Sequence, residues 1–195
     1  MRRLVGSRLV RLVLLASLGV AMGAAAAGAA GPYRGKVVDA QTKEPIAGAV
    51  VLIYWNREAP GLGHGPSEAF LDAEEALTNE RGEFTVGTNP PRTWIPGTWV
   101  SRPHLTIFSP GYGYFPMHVS TDVPVRSRGD DELFKDMERR PVVFELPRLA
   151  SREERLRALA TVNPLVVPRS RMPEFIKLLN LERQNLNLPP LYREK

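Results

Sequence analysis

The seven residues from Ala49 to Trp55 constrain the fold of this chain more than any other part of its sequence. The run reads AVVLIYW and contains no charged residue. In a β-strand alternate side chains point to opposite faces, so both faces of this strand are apolar. Such a strand must be covered on both sides. The sequence therefore predicts a central strand that packs on a second sheet with one face and on another element with the other.

Turn-forming residues divide the chain around this run into short strands. A strand from Tyr33 to Asp39 comes first, and it is broken by a turn that ends at Pro45, because proline cannot donate to a ladder. Further strands are predicted at 83–86, 104–108, 115–119 and 142–146; 69–77 is predicted as a strand or a short helix, and 56–68, 89–97 and 122–140 are predicted as loops. This pattern indicates an all-β sandwich of about seven strands.

The segment 151–195 has a different pattern, which predicts two helices. Ser151 and Glu154 fit a capping box at the start of the first helix, and Pro173 suits the first turn of the second. Apolar residues follow at helical spacing: Leu156, Leu159 and Ala160 in the first helix, and Phe175, Ile176, Leu179 and Leu186 in the second. If one of these helices packs on the sheet, it covers the second face of the strand at 49–55.

Several sequence patterns resemble the carboxypeptidase regulatory-like, or transthyretin-like, domain. They are Gly35-x-Val37-x-Asp39, Pro45-Ile46-x-Gly48-Ala49-x-Val51, Thr78-Asn79-x-x-Gly82-x-Phe84-x-Val86 and Phe108-x-Pro-Gly-Tyr112. The resemblance covers residues 33–146. It implies a prealbumin-like β-sandwich that serves exported or envelope proteins as a non-catalytic accessory module. The insertion at 55–76 and the helical tail resemble a small exported Gram-negative subgroup.

The first thirty residues have the order of a secretory signal peptide. Arg2, Arg3, Arg8 and Arg11 form a basic region before an apolar stretch, Leu12–Met22, and small residues then run to Ala30. An uncleaved membrane anchor is the alternative, but no stop signal follows, which favours cleavage. The chain has no cysteine, which excludes a lipoprotein anchor and disulfides. We expect a periplasmic or secreted protein without membrane contact after cleavage.

Charge and composition divide the chain into a signal peptide (1–30), one β-sandwich domain (31–150) and a helical extension (151–195). Four of the 26 Lys and Arg residues lie in the leader, which leaves 22 basic against 21 acidic side chains. A nearly neutral chain lacks the electrostatic footprint of a nucleic-acid-binding protein. The sequence therefore predicts no nucleic-acid partner.

Four aromatic residues near predicted loops are the candidate ligand-binding residues: Trp94, Trp99, Tyr112 and Tyr114. Aromatic rings bind carbohydrate by stacking on sugar faces, and exposed aromatic groups mark binding sites. The alternative is that these rings pack beneath long loops as a satellite core. Our first functional hypothesis is a binding or structural module that contacts envelope proteins through its long loops and tail. The second is a carbohydrate-binding module.

The sequence predicts no enzyme, no metal site and no cofactor. His64, His104 and His118 share no ligand spacing, and no cysteine joins them. The acidic run 130–132 lies among arginines, which favours a salt-bridged loop over a calcium site. The C-terminal 191–195 superficially resembles the terminal Tyr-Arg motif of a purine-pathway hydrolase with the transthyretin fold. That enzyme has a histidine in the first strand, where this chain has Arg34 and Lys36.

Overall fold

The structure is a computed structural model that describes residues 31–61, 67–87, 89, 91–118, 120–121, 131–162 and 166–191. These residues form eight strands: β1 (Tyr33–Asp39), β2 (Val50–Ala59), β3 (Ser67–Leu77), β4 (Glu83–Val86), β5 (Trp99–Val100), β6 (His104–Phe108), β7 (Ser120–Thr121) and β8 (Val142–Leu146). They also form helices α1 (Asp131–Arg139), α2 (Arg152–Thr161) and α3 (Pro173–Asn185), with a 3-10 turn at Arg169–Arg171. The coarser part of the all-β prediction is confirmed, because the described residues form a mostly-β fold.

The strands form two sheets that contribute to one hydrophobic core. The first sheet has the order β4-β1-β8-β7; β1 and β8 run parallel, and the other neighbours run antiparallel. In the second sheet β2 is central, with β3 on one side and β5 and β6 on the other. Val37 and Phe144 of the first sheet are buried in the same cluster as Ile53 and Trp55 of the second. One apolar face of β2 is therefore covered by this shared core.

The other apolar face of β2 is covered by the C-terminal helices. Val50 and Leu52 are fully buried in a cluster with Phe175 and Leu179 of α3 and Ala158 of α2. Burying one Val or Leu side chain contributes about 1.5–3 kcal/mol. Exposing this face would thus remove a large part of the stability of a domain of this size. The prediction that a tail helix covers the central strand is confirmed.

Polar contacts bind the first turn of α3 to the edge strand β3. The Glu75 carboxylate accepts hydrogen bonds from the backbone N–H groups of Glu174 and Phe175, at 3.0 and 2.8 Å. These N–H groups have no partner within the helix, so Glu75 caps it. Burial is the largest effect on the Glu75 carboxyl and raises its pKa. Arg171, just before the helix, forms an ion pair with Asp72 of β3.

A buried ion pair holds the other half of α3. Glu182 is 3% exposed, and its carboxylate accepts hydrogen bonds from the Arg155 guanidinium of α2 at 2.6 and 2.7 Å. The backbone N–H of Gly111, in the turn after β6, donates to the same carboxylate at 3.0 Å. Charge-assisted bonds of this kind are stronger than neutral ones. One carboxylate thus connects α2, α3 and the second sheet.

Helix α2 begins with the predicted capping box but turns a different face inward. The Ser151 hydroxyl accepts a hydrogen bond from the Glu154 N–H at 3.1 Å, and the Glu154 carboxylate accepts one from the Ser151 N–H at 3.0 Å. The predicted stripe included Ala160, which is exposed, whereas Ala158 is buried. The reason is that Arg155 points inward to Glu182, so the inward face contains positions 155, 158 and 159.

The segment 122–140, predicted as a loop, contains helix α1 in its described part. Leu133, Phe134 and Met137 are its buried residues, and they belong to the core that the two sheets share. Phe134 contacts Tyr33 of β1 edge-on, with 5.0 Å between the ring centroids. The loop prediction was wrong there because the high charge of the segment hid a narrow apolar stripe. Residues 122–130 lie outside the described residues.

Other element boundaries also differ from the prediction. β2 continues to Ala59, into a predicted loop, because β3 and β5 pair with it there. The stretch 69–77 is strand β3, which begins at Ser67. The described part of 115–119 is not a strand: Phe115 makes one isolated bridge to Ile107, and a turn follows. The nearby strand is the two-residue β7, whose backbone pairs with β8.

Two glycines of the sequence patterns hold turns that join the sheets. Gly82 has φ +74°, and a Cβ there would lie 2.3 Å from the carbonyl oxygen of Val37. Gly48, before β2, has φ +71°, a conformation that other residues rarely adopt. The Thr78 hydroxyl donates to the carbonyl of Ile46 at 2.7 Å, which ties the two turns together. These residues therefore have structural roles at the edges of the core.

Replacing Glu182 with alanine is expected to lower the free energy of unfolding by about 3 kcal/mol, because it removes one partner of a buried ion pair. The Arg155 guanidinium and the Gly111 N–H would both lose their acceptor. Urea unfolding measured by circular dichroism gives the free energy. The control is Glu153→Ala, which removes an exposed pair with Arg157 and is expected to change it by less than about 0.5 kcal/mol. Equal stability of the two variants would contradict a role of Glu182 in holding the tail.

Candidate binding site

The most exposed aromatic side chain of the described residues lies in the segment 92–99, which we call the Trp loop. Trp94, Ile95 and Trp99 are 86%, 50% and 44% exposed. Scattered single apolar residues are normal on a surface, but grouped ones mark sites of interaction. Three large apolar side chains within six consecutive residues form such a group.

Threonine hydroxyls fix the shape of the Trp loop. The hydroxyls of Thr93 and Thr98 lie 2.7 Å apart, and the Thr98 hydroxyl donates to the carbonyl of Ile95 at 2.8 Å. The Thr98 N–H donates to the same carbonyl at 3.2 Å and closes a turn in which Gly97 has φ +74°. The tip of the loop is therefore a hydrogen-bonded turn and not an extended strap.

Strand β5 attaches the Trp loop to the central strand of the second sheet. Trp99 lies opposite Glu58, and Val100 lies opposite Arg57. The Trp99 indole N–H donates to the Glu58 carboxylate at 2.6 Å. Next along the chain, the Ser101 N–H donates to a carbonyl of β2 at 2.7 Å. One edge of the Trp99 ring is thereby fixed, while 44% of the residue stays exposed.

The structure does not bring the two predicted tyrosines to the Trp loop. Tyr114 is 1% exposed and belongs to the cluster that joins β2 to the tail helices. Its ring is therefore not accessible for stacking on a sugar. Tyr112 is partly buried after β6, where it bridges to Arg148 beyond β8. For Tyr114, and in part for Tyr112, the satellite-core alternative describes the ring correctly.

Tyr112 and the Trp loop lie at opposite ends of β2. Phe108 at the end of β6 lies opposite Val50, and Tyr112 follows shortly after. Trp99 lies opposite Glu58. The distance along the strand from Val50 to Glu58 is about 26 Å at 3.3 Å per residue. The candidate site therefore contains Trp94 and Trp99 of the four predicted residues, and it adds Ile95 and Glu58, which sequence reasoning missed.

Tyr112 belongs to a polar cluster around a buried carboxylate. Asp39 is 1% exposed, and one oxygen accepts hydrogen bonds from the N–H groups of Gln41 and Thr42 at 2.8 and 3.1 Å. The other oxygen pairs with the Arg148 guanidinium and accepts a hydrogen bond from the Tyr112 hydroxyl at 3.3 Å. Hydrogen bonding by Arg148, followed by that of the backbone, holds the pKa of Asp39 well below its usual range. These contacts lock the turn after β1.

The Asp39 cluster predicts a specific loss of stability in acid. A carboxylate whose pKa is lowered by folding stabilises the protein above its unfolded pKa of about 4, and this contribution is lost as the pH falls below that value. We expect Asp39→Asn to lower the free energy of unfolding at pH 7 by about 2 kcal/mol and to flatten its pH dependence between roughly pH 5 and pH 2.

Urea titrations at several pH values measure the effect of Asp39→Asn. Glu44→Gln, which changes an exposed carboxylate in the same turn, is the control and is expected to keep the wild-type pH dependence. An Asp39→Asn protein with an unchanged acid dependence would show that the ion pair with Arg148 does not stabilise the folded state. The same titrations report the stability at pH 7, so both parts of the prediction come from one data set.

The two described histidines each pack on an aromatic ring. His104 stacks on Tyr54 with 4.7 Å between the ring centroids, and His118 lies edge-on to Tyr114 at 5.2 Å. In the part of the chain that the structure describes, no group of three or more His, Cys, Asp or Glu could hold a metal ion. His64 lies outside the described residues.

The other candidates from the sequence either form ion pairs with neighbouring side chains or lie outside the described residues. Asp131 pairs with Arg102 at 3.0 Å and Glu132 with Lys135 at 3.0 Å, while Asp130 is not among the described residues. The leader 1–30 and the terminal residues 192–195 are also outside them. Within the described ranges no helix has both the length and the apolar character needed to cross a bilayer.

Comparison with known protein families, with curated proteins and with solved structures gives no match to this chain. The resemblance to the carboxypeptidase regulatory-like domain therefore rests on the sequence patterns described above.

Proposed function

We propose that this chain is a non-catalytic binding module of the bacterial cell envelope that contacts its partner through the Trp loop. The observation that carries the proposal is the 86% exposure of Trp94 beside Ile95 and Trp99, at the tip of a hydrogen-bonded turn. Tryptophan is strongly enriched in binding hot spots. A loop that is already ordered loses little conformational entropy when it binds.

We propose further that the body is a transthyretin-like β-sandwich of the carboxypeptidase regulatory-like kind. Two sheets with a common core support this proposal. So do the positions of the sequence patterns, because Asp39, Gly48 and Gly82 hold turns between strands. In such a module the loops at the ends of the strands are free to vary in sequence and to bind, while the sheets supply a rigid base.

The contact surface is better assigned to the Trp loop than to the C-terminal tail. The sequence pointed to both, but the apolar residues Phe175 and Leu179 of the tail are buried against β2. The apolar side chains of the Trp loop, in contrast, are exposed in the described part of the chain. An envelope protein and a glycan are the partner classes predicted from the sequence, and two exposed indoles in one loop are what favours the glycan.

The proposal predicts that Trp94→Ala abolishes most binding while the fold stays intact. Truncating a tryptophan hot spot typically costs about 2 kcal/mol or more, and an exposed ring contributes little to the core. We expect at least about tenfold weaker capture of the partner from a cell-envelope extract, with an unchanged melting temperature. For a glycan, saturable changes in tryptophan fluorescence across a panel of polysaccharides are the equivalent measurement.

The matched control for Trp94→Ala is Leu181→Ala, which truncates another exposed apolar residue, 44% exposed, on α3. It is expected to leave capture unchanged, because α3 belongs to the tail. If Leu181→Ala weakens capture and Trp94→Ala does not, the tail is the contact surface and the proposal is wrong. Silence of tryptophan fluorescence across the glycan panel would end the carbohydrate hypothesis alone.

A further inference from the structure

We propose that the surface contacted by the Trp loop is the lipid bilayer, with Trp94 and Ile95 inserted at the membrane–water interface. This inference rests on the proposed function, which makes the Trp loop the contact element, and it names the partner. Three observations carry it: the chemistry of the exposed side chains, the position of the loop on the body, and the sequence that precedes the body.

The exposed side chains of the Trp loop have the chemistry of an interfacial anchor. Tryptophan is enriched at membrane interfaces because its ring is apolar and its N–H is polar. Ile95, 50% exposed, has neither a polar group nor a flat face, so it suits hydrocarbon better than a sugar ring. Arg92, at the start of the loop, is exposed, and a long basic side chain beside such a tip suits phosphate headgroups.

The Trp loop lies at the same end of the body as Gly31, where the described chain begins. Tyr33, at the start of β1, lies beside β2: a Cβ on Gly87 would be 2.6 Å from the Tyr33 ring and 3.6 Å from the Ile53 side chain. From Ile53, β2 continues to Ala59, so the start of β1 lies on the side of the body towards which β2 ends. Trp99 pairs with Glu58, one residue before the end of β2, so the Trp loop projects from that end.

Helix α1 links the start of the body to the base of the Trp loop. Its first residue, Asp131, forms an ion pair at 3.0 Å with Arg102, which follows β5 closely. One turn further along α1, Phe134 contacts the ring of Tyr33 at 5.0 Å. A helical turn rises about 5.4 Å, so this helix holds the two regions close together at the same end of the body.

The leader brings this end of the body to a membrane. Gly31 follows directly on the leader, whose basic start and apolar stretch Leu12–Met22 are those of a membrane-targeting segment. Export holds such a segment in the bilayer until it is cleaved, and an uncleaved leader would stay there. While the leader is in the bilayer, the end of the body that follows it, and with it the Trp loop, is the part nearest to the membrane. The inference departs from our sequence-based expectation of no membrane contact after cleavage, because the loop supplies a peripheral contact of its own.

The test uses the full chain bound to vesicles of phosphatidylethanolamine and phosphatidylglycerol, some of which contain lipids brominated near the headgroup. The chain has three tryptophans, and Trp55 is 1% exposed inside the core, so quenching by bromine reports the Trp loop. We expect a blue-shifted emission that brominated lipid quenches. Trp94→Ala is expected to lose more than half of the quenching, since Trp94 is the more exposed of the two loop indoles.

Two further variants separate insertion of the loop from binding by the leader. Ile95→Glu removes an apolar side chain from the tip and is expected to shift the equilibrium between inserted and free loop about tenfold or more towards the free loop. Leu181→Glu places the same charge on a similarly exposed residue next to Glu182, which contacts Gly111 at the opposite end of the body. It is expected to leave the quenching unchanged. Flotation of the vesicles verifies that every variant is bound.

The outcomes distinguish this inference from the proposed function. If brominated lipid does not quench the bound wild-type chain, or if Ile95→Glu and Leu181→Glu behave alike, the loop does not insert and the inference is wrong. If capture from envelope extract then still depends on Trp94, the proposed function stands with a protein or glycan partner, which the glycan panel distinguishes. If neither quenching nor capture depends on Trp94, both are wrong.

Discussion

The structure depends on covering both apolar faces of strand β2. The first sheet and α1 cover one face, and the C-terminal helices cover the other. Without the helices, fully buried side chains such as Val50 and Leu52 would be exposed to water. The tail is therefore part of the core and not an appendage. The ion pair of Glu182 and the cap that Glu75 provides keep the helices in register on that face.

The parts of the fold that could be predicted from the sequence are those decided by neighbouring residues. The strands at 33–39, 83–86, 104–108 and 142–146 have the predicted bounds, because alternation and turn residues lie within each segment. The capping box at Ser151 is equally local. Helix α1 could not be found in this way, since its three inward residues are surrounded by charge. They can be recognised as core residues only when the surface formed by β1 and β8, on which they pack, is known.

The same distinction between local and distant contacts explains which residues of the candidate site could be predicted. Trp94 and Trp99 could be identified because they lie near a predicted loop, and exposed aromatic groups mark binding sites. Tyr114 has a similar local setting, but the tail folds over it, and no local pattern reports a contact between elements so distant in sequence. Glu58 was missed for the opposite reason. It lies in a segment that resembled a loop, and only the pairing of β5 with β2 gives it a role.

The extension of β2 beyond the core links the fold to the site. The register of β2 against β3 shifts between Trp55 and Asn56, because β3 has one extra residue there, Leu71. In the described part of the chain, the Trp55 indole nitrogen and the Asn56 side-chain oxygen are buried without a hydrogen-bond partner from the protein. Unsatisfied buried polar atoms are costly and call for a physical reason. Both atoms lie at the register shift, where the regular ladder is interrupted, and beyond it β2 continues to Glu58, the residue that holds Trp99. An extra residue bends the strand that contains it and increases the local twist, and this one lies in the pairing of β2 with β3 just before the part of β2 that pairs with β5 at the base of the Trp loop.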